Sequence, residues 1–416
     1  MKILYLQHAG GLGGSCVSLL YTMQGMRDLG HTCVVALARP SQELVRFYTD
    51  AGFEALPWPG LALWDHSTVG PRPLWEPGTW RMLADVAFGW RRTARRTLEL
   101  VEQIQPDLVH LNAMVLSPSA DALIQAGRPF VWHVREPAPD NGFRTRMIRR
   151  VMLRATHLIF ISEFDKHSWI QDQNGVVIPN FVDLTRFSPD ADGQSLREML
   201  QMSPDAKVIL YLGDVSAIKG FYVLLDALCL LKQRNFQFVC LMPGAVLGRA
   251  QSTLGRIARV ILPLVGSGTP KQQAKQRIMR YRLEANLRLL PFATDIVPYF
   301  AASDVIVFPA TKPHFARPVI ESIAMHKPAV GSDIGGVREL LAIHPLGRAT
   351  PVGDAIALSD AIEELTSDRA RSADLDAQFT KVKARFDLQH GVHAIAAIYH
   401  EIMELNHKCS QEKTAL

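Results

Sequence analysis

Two strand-to-helix turns within residues 303–336 constrain the fold more than any other stretch of the sequence. Val305 to Phe308 is a short apolar run with β-branched residues, which predicts a buried strand of a parallel sheet. The helix that follows has apolar residues at helical spacing, a proline in its first turn and a stop at His326-Lys327-Pro328. A second short strand then leads to the turn at Gly335-Gly336. Because open α/β sheets bind ligands at the carboxyl ends of their strands, both turns are candidate binding positions.

The chemistry of these turns suits a nucleotide. Unpaired N–H groups and the positive end of a helix bind a diphosphate, and Glu321, one helical step inside, is placed to accept hydrogen bonds from a ribose diol. The alternative is an ordinary β-α-β unit in which Glu321 is merely solvated. That alternative stays open at this point, because isolated glycine turns are weak signals.

The amino-terminal residues predict a second β-α-β unit. Ile3 to Leu6 is expected to be a strand, Gly10 to Gly14 a phosphate-type or sugar-type turn, and the residues from Ser15 a helix. Val34 to Leu37 is expected to be the next strand. The turn is not a GxGxxG fingerprint, and a glycine needed only for tight turning is the alternative to a binding role.

Phe315-x-Arg317-Pro318-x-Ile320-Glu321 and the following Asp333-x-Gly335-Gly336 resemble the donor-nucleotide segment of the family 4 retaining glycosyltransferases. The resemblance implies the α/β GT-B fold, with two Rossmann-like domains facing a deep interdomain cleft. It implies an acceptor-side domain over residues 1–180 and a nucleotide-sugar donor domain over 181–386. The C-terminal helix, 387–405, is expected to cross back onto the first domain.

The resemblance also assigns site residues. His133, at a strand end, would donate a hydrogen bond to the donor sugar, and Lys219 would hold the diphosphate as the second catalytic residue. An ordinary, satisfied strand-end histidine is the alternative for His133. The resemblance implies a set of residues that bind the donor nucleotide sugar: Gly13, Gly14, Lys219, Phe292, His314, Phe315, Ala316, Arg317, Pro318, Val319 and Glu321.

Two positions depart from the family pattern. The family usually has two glutamates separated by seven residues; Glu321 matches the second, and Pro313 stands in place of the first. An arginine that helps hold the diphosphate is replaced by Asp214. His314 is the nearest residue able to take over the missing contact, by donating to a sugar hydroxyl.

The predicted function is therefore retaining transfer of a sugar from a nucleotide-diphosphate sugar to a lipid-linked or polysaccharide acceptor in cell-surface glycan biosynthesis. No metal and no cofactor is expected, since the nucleotide sugar is a co-substrate. A scaffold subunit that keeps the fold without transfer is the rival hypothesis, motivated by Pro313 and Asp214. A nucleotide-sugar epimerase is less favoured, because its carboxylate and histidine constellation is not evident.

The net charge of +5 suggests an anionic partner. Basic residues concentrate in segments 91–96, 144–154 and 249–282, which suit an anionic membrane surface, although solvated faces explain the same spacing. No nucleic-acid module is recognisable. Scattered cysteines and the lack of a signal peptide or an 18-residue apolar run predict a cytoplasmic protein, peripheral at the inner face of the plasma membrane.

Five of the seven tryptophans lie in residues 58–90. Together with the arginines of segment 91–96, they suit a membrane-interface contact or a sugar-stacking acceptor surface. Internal packing of the tryptophans within an irregular insertion is the alternative.

Overall fold

The computed structural model describes residues 1–64, 77–170, 175–245, 270–367 and 373–414. The chain divides into two compact units. The first unit contains Met1–Val182 together with Phe386–Leu416, and the second contains Asp183–Arg385. Each unit is built around one parallel β-sheet with helices on both of its faces.

The first unit has a seven-stranded sheet in the order β3-β2-β1-β4-β5-β6-β7. Its central strands are buried and mostly apolar, as expected for strands covered on both faces, although they also contain His110 and His133. The strands are β1 Lys2–Gln7, β2 Thr32–Leu37, β3 Glu54–Pro57, β4 Leu108–Leu111, β5 Phe130–Val134, β6 Leu158–Phe160 and β7 Gly175–Val177.

Helices cover this sheet in two separate hydrophobic layers. One layer contains helices α3 to α5, and the other contains α1, α2 and the C-terminal helix α15. The helices of the unit are α1 Gly14–Asp28, α2 Gln42–Thr49, α3 Pro77–Ile104, α4 Ser117–Gln125, α5 Phe143–Met152, α6 Glu163–Trp169 and α15 Leu388–Thr414.

Helix α15 packs closely on α1. A Cβ atom at Gly25 of α1 would lie 2.3 Å from a methyl group of Val392, so only glycine allows this approach. The helix continues to Thr414, which makes it longer than the predicted span of 387–405. A strand-like bridge between Val182 and Asp387 lies where the chain returns to this unit.

The second unit has a six-stranded sheet in the order β10-β9-β8-β11-β12-β13. Its strands are β8 Lys207–Leu210, β9 Phe238–Pro243, β10 Leu287–Leu290, β11 Val305–Phe308, β12 Ala329–Ser332 and β13 Gly347–Thr350. Its helices are α7 Gln194–Met199, α8 Phe221–Gln233, α9 Pro270–Arg280, α10 Val297–Ala302, α11 Arg317–Ala324, α12 Gly335–Ile343, α13 Ala355–Thr366 and α14 Ala373–Lys383.

The prediction of parallel α/β architecture is confirmed in both units. Strand β11 has the bounds expected from its apolar run, and α11 starts at Arg317 with Pro318 in its first turn, as expected. Within the described ranges, no helix is both long enough and apolar enough to cross a membrane.

Candidate functional site

Each sheet has one point at which the strand order reverses. In the first unit the chain proceeds outward from β1 in one direction and then restarts at β4 on the other side; in the second unit the same reversal separates β8 from β11. Crevices at such points are where open α/β sheets bind ligands. The predicted residues Gly13 and Gly14 follow β1, and Lys219 and His314 follow β8 and β11, so all four lie beyond the carboxyl ends of strands that flank the reversal points.

The two glycines after β1 are not required by the fold of the unit itself. Among the described residues, a Cβ atom at Gly13 or Gly14 would meet no atom within 4 Å beyond its chain neighbours and the backbone of its own helix. Gly13 has a φ of −173°, which is extended backbone that any residue adopts, and Gly14 opens helix α1. The tight-turn explanation therefore fails here, because neither space nor backbone conformation demands glycine.

His133 lies in β5 with only 2% of its surface exposed. Its Nδ1 is 3.3 Å from Nη2 of Arg135, and its Nε2 is buried without a hydrogen-bond partner among the described residues. Burial first, and then the charges of Arg135 and His110, hold the pKa of His133 well below its ordinary value. His133 is therefore a neutral imidazole.

Arg135 links His133 to the glycine turn. Its Nε donates to Oδ1 of Asn112 over 2.6 Å, and its Nη1 donates to Oδ1 of Asn180 over 2.6 Å. Asn112 follows β4 and donates in turn to the backbone carbonyl of Ser15 over 3.4 Å. This network connects the ends of β4 and β5 to the start of helix α1.

Sequence reasoning missed Arg135, Asn112 and Asn180. The available signal was weak: a polar residue stands directly after each of two buried strands, where strand ends meet at one sheet edge. The pairing itself needs the fold, since Arg135 is 23 residues from Asn112 and 45 residues from Asn180 in the chain.

In the second unit, Lys219 precedes helix α8 and forms an ion pair with Asp214, Nζ to Oδ1, over 3.8 Å. Gly220 follows with a φ of +76°, and a Cβ atom there would lie 1.7 Å from the carbonyl oxygen of Pro309. Glycine is therefore required, and it allows the loop after β8 to touch the loop after β11. Thr311 joins the two loops by donating to the carbonyls of Ala217 and Ile218.

His314 lies in the loop after β11, with its ring 4.9 Å from that of Phe308. Its Nδ1 is 2.9 Å from the carbonyl oxygen of Lys312, which can only accept, so Nδ1 carries the proton. Burial lowers the pKa of His314, and the neutral ring therefore presents Nε2 as an acceptor. The expectation that His314 donates to a sugar hydroxyl is wrong for this arrangement, because its only N–H is used by the backbone.

Glu321 lies on α11 and is 2% exposed. Its Oε1 accepts a 2.7 Å bond from Nε of Arg317, one helical turn earlier. Burial raises the pKa of Glu321, while the charges of Arg317 and Arg186 oppose that rise. The reading of Glu321 as a merely solvated residue is wrong. A ligand hydroxyl would share this carboxylate with Arg317.

The remaining residues predicted to bind the donor nucleotide sugar differ in how far their side chains are exposed. The side chains of Ala316 and Val319 are fully buried, so only their backbone can meet a ligand. Phe315 and Pro318 are half-buried in the same segment. Phe292 follows β10 and is 53% exposed, beside Gly244 at the end of β9.

The tryptophan-rich stretch packs mainly on itself. Trp64 is buried and meets Trp90 edge to face at 6.1 Å, and the Arg96 guanidinium lies 4.1 Å above the ring of Trp58. Internal packing, the alternative to an acceptor surface, accounts for these three rings. Trp80 is exposed, and Trp75 lies outside the described residues.

The basic segments are partly engaged within the protein. In segment 144–154, Arg149 donates to the carbonyls of Ser168 and Trp169, and Arg154 donates to Asp121. Residues 249–269 of the third segment lie outside the described residues, and the rest of it contains helix α9.

Family models match almost the whole chain. The model "Glycosyltransferase Family 4" matches residues 12–186, and "Glycosyl transferases group 1" matches residues 194–382. The chain belongs to the family 4 glycosyltransferases. This family consists of transferase enzymes.

Relatives of this glycosyltransferase are distant. The lipopolysaccharide core biosynthesis mannosyltransferase LpsB of Rhizobium meliloti is 23% identical over 56% of this chain, and the match spans 62% of LpsB. The putative teichuronic acid biosynthesis glycosyltransferase TuaC of Bacillus subtilis is 23% identical over 75% of each chain. The crystal structure of Anabaena HepE with UDP and glucose is 22% identical, with a TM-score of 0.73 over 96% of this chain and 99% of HepE. That likeness shows the GT-B fold.

Proposed function

We propose that the protein transfers a sugar, with retention of anomeric configuration, from a nucleotide-diphosphate sugar to a lipid-linked or polysaccharide acceptor of the cell surface. The observation that carries this proposal is the cluster at the reversal point of the second sheet. There the loops after β8 and β11 are joined through Gly220 and Thr311. They hold the cations Lys219 and Lys312, and they hold Nε2 of His314, which has no hydrogen-bond partner among the described residues.

The names of the relatives support this proposal. LpsB is named for lipopolysaccharide core and TuaC for teichuronic acid, both of them glycans, and HepE was crystallised with UDP and with UDP-glucose. A nucleotide sugar as donor and a growing glycan as acceptor follow by analogy for this chain.

In the proposed reaction the acceptor oxygen bonds to the anomeric carbon on the face from which the diphosphate departs. The bond between that carbon and the diphosphate oxygen breaks, the leaving group takes the electron pair, and the proton of the acceptor hydroxyl passes to the departing diphosphate oxygen. Lys219 and the N–H groups at the start of α8 stabilise the charge that develops there. Glu321 accepts from the ribose, and Nε2 of His314 accepts from a sugar hydroxyl. No metal is needed in this scheme, since Lys219 supplies the positive charge.

The experiment is a titration followed by a turnover assay. Calorimetry with nucleoside diphosphates of each base is expected to select one base. The purified protein should then release that nucleoside diphosphate slowly from its sugar conjugate without acceptor, and Pro313→Glu should release it at the same or a higher rate. Nuclear magnetic resonance of the product with acceptor should show the donor's anomeric configuration.

The scaffold hypothesis makes the opposite prediction. The Lys219–Asp214 pair favours it, because the carboxylate offsets part of the charge that a diphosphate needs. A scaffold binds nucleotide weakly and releases none. If the wild-type protein turns over no donor even with a lipid-linked acceptor extract, while Pro313→Glu clearly does, the enzyme proposal is wrong.

We further propose that the first unit binds an anionic membrane at the inner face of the plasma membrane. Helices α3 and α5 lie in the same layer of the sheet, on either side of α4. Asp121 of α4 joins α3 to the turn after α5. It accepts from Nε1 of Trp90 in α3 over 2.9 Å and from Nη1 of Arg154, two residues beyond α5, over 2.8 Å. Their outward faces are therefore parts of one surface, which we call the α3–α5 surface.

The α3–α5 surface combines aromatic and cationic side chains at helical spacing. On α3 the exposed residues include Trp80 and Phe88, which are 62% and 87% exposed, followed by Arg91 and Arg95. On α5 and the residue after it they are Phe143, Arg146, Arg150 and Leu153. Large exposed apolar side chains beside arginines fit the interfacial region of an anionic bilayer.

Vesicle sedimentation tests this surface. Each cation near an anionic bilayer contributes about 1 kcal/mol, so Arg146→Gln with Arg150→Gln should weaken binding to phosphatidylserine vesicles about thirtyfold. Arg39→Gln with Arg46→Gln removes the same charge from the loop after β2 and from helix α2, which packs in the opposite layer. Equal loss in both double variants, or no binding of the wild type at low salt, rules out a localised membrane surface.

A further inference from the structure

His133 and Arg135 stand on the same face of the chain at the end of β5, and their contact has a defined direction. Nη2 of Arg135 is 3.3 Å from Nδ1 of His133. A guanidinium has only N–H donors and keeps its charge in proteins, so Nδ1 must be the acceptor. A neutral imidazole carries one proton, which therefore sits on Nε2.

The proton on Nε2 has no acceptor within the described part of the protein. Nε2 is buried and lacks a hydrogen-bond partner there. A buried N–H group without an acceptor costs free energy, and such groups are rare unless a ligand or water satisfies them. His133 thus has one buried donor without a partner near the carboxyl end of β5, one strand away from the reversal point between β1 and β4.

Arg135 is itself held in a fixed orientation. It is 9% exposed, and its Nε and Nη1 donate to the side-chain oxygens of Asn112 and Asn180, each over 2.6 Å. Asn112 donates onward to the carbonyl of Ser15, beside Gly14. The bonds to Asn112 and Asn180 fix the plane of the guanidinium, so Nη2 contacts His133 in a defined orientation.

We propose that Arg135 is a positioning residue that fixes His133 as an Nε2–H donor toward a hydroxyl oxygen of the transferred sugar. This inference rests on the proposed function. The guanidinium excludes the Nδ1–H tautomer, in which His133 would present a lone pair instead of a proton to the ligand. Asn112 and Asn180 act through Arg135 in the same way.

The protein carries its own reference for this assignment. His314 donates from Nδ1 to the carbonyl of Lys312, so its tautomer is the opposite one. Selectively ¹⁵N-labelled histidine in the full chain should give an Nε2–H pattern for His133 and an Nδ1–H pattern for His314. His133→Gln and His314→Gln assign the two signals. A wild-type spectrum with the proton of His133 on Nδ1, or on both nitrogens, overturns the proposal.

Variants of Arg135 separate positioning from mere support. Arg135→Lys can only donate, so His133 should keep its Nε2–H pattern and much of the activity. Arg135→Gln can also accept, so His133 should populate both tautomers, and kcat should fall about tenfold while the donor KM changes less than about threefold. Arg128→Gln, an exposed arginine just before β5, is the control and should match the wild type.

These measurements separate a failure of the Arg135 proposal from a failure of the proposed function. Loss of the thermal unfolding transition in both Arg135 variants, with the wild-type tautomer on Nδ1, assigns Arg135 a structural role and overturns the proposal while donor turnover stands. If the tautomer is Nε2–H but no nucleotide sugar is bound or cleaved, the proposed function fails instead, and with it the sugar as the partner of His133.

Discussion

The carboxyl ends of the strands form one edge of each sheet, which we call the first edge in the first unit and the second edge in the second unit. Each edge has a histidine, and the two histidines have opposite hydrogen-bond roles. After β5, His133 accepts at Nδ1 from Arg135 and is left with a proton on Nε2; after β11, His314 donates at Nδ1 to a backbone carbonyl and is left with a lone pair on Nε2. Burial lowers the pKa of both rings, so both are neutral. One edge thus offers a hydrogen-bond donor and the other an acceptor.

The surroundings of the two histidines differ as well. Near His133 the network is buried, and the bonds from Arg135 run to two amide oxygens and an imidazole. Near His314, Lys219 forms an ion pair with Asp214, and Arg317 forms one with Glu321. The first edge should therefore respond to changes of shape and tautomer, and the second to changes of charge and salt.

The largest effect is expected at Lys219, the cation of the second edge that we propose stabilises the developing charge. Lys219→Met should lower kcat for donor cleavage about a hundredfold, since a bond to a charged group contributes roughly 1.5–3 kcal/mol. Lys381→Met removes an exposed lysine of α14 and should behave as wild type. If turnover of Lys219→Met stays within threefold of wild type, the second edge does not depend on charge, and the contrast with the first edge is wrong.

An intermediate effect is expected at Gly14, where shape should dominate. Gly14→Val should leave the thermal unfolding midpoint unchanged, because its Cβ atom meets no described atom within 4 Å beyond its chain neighbours and its own helix backbone. Donor affinity, measured by calorimetry, should fall about tenfold if backbone at this turn approaches the donor, with Gly14→Ala between the two. Unchanged affinity together with a lower unfolding midpoint would return Gly14 to a purely local role.

Local patterns in the sequence were sufficient to predict the strand and the helix start at the second edge. The apolar run Val305–Phe308 and the proline at the start of α11 have the structure that their periodicity predicts. The parallel architecture followed from strands and helices that alternate along the chain. These features depend on residues within a few positions of one another, where propensity and periodicity are reliable guides.

The hydrogen-bond roles at both edges could not be predicted in this way. The contacts of Arg135 depend on strand order, which places β4 beside β5 and brings Asn112 to its guanidinium. The role of His314 depends on the direction of the Lys312 carbonyl, two residues away. The position of a histidine in the sequence does not specify which ring nitrogen carries the proton. The packing of Trp64 on Trp90 likewise joins a loop to a helix.

The smallest effect is expected at Asp214, and it sharpens the contrast between the edges. Lys219 and Asp214 are 3.8 Å apart with side chains 41% and 63% exposed, and ion pairs this exposed are worth about 0–1 kcal/mol. Asp214→Asn should therefore leave the fold intact and remove a charge that would repel a bound diphosphate. Nucleoside diphosphate should bind up to about fivefold more tightly at low salt.

The advantage of Asp214→Asn should shrink as salt rises, because exposed charges are screened. Asp205→Asn is the matched control, since Asp205 is an exposed carboxylate just before β8 whereas Asp214 follows the same strand. Calorimetry at two ionic strengths compares them. If Asp214→Asn binds diphosphate more weakly than wild type, the carboxylate orients Lys219 instead of competing with the ligand, and the second edge then relies on fixed geometry as the first one does.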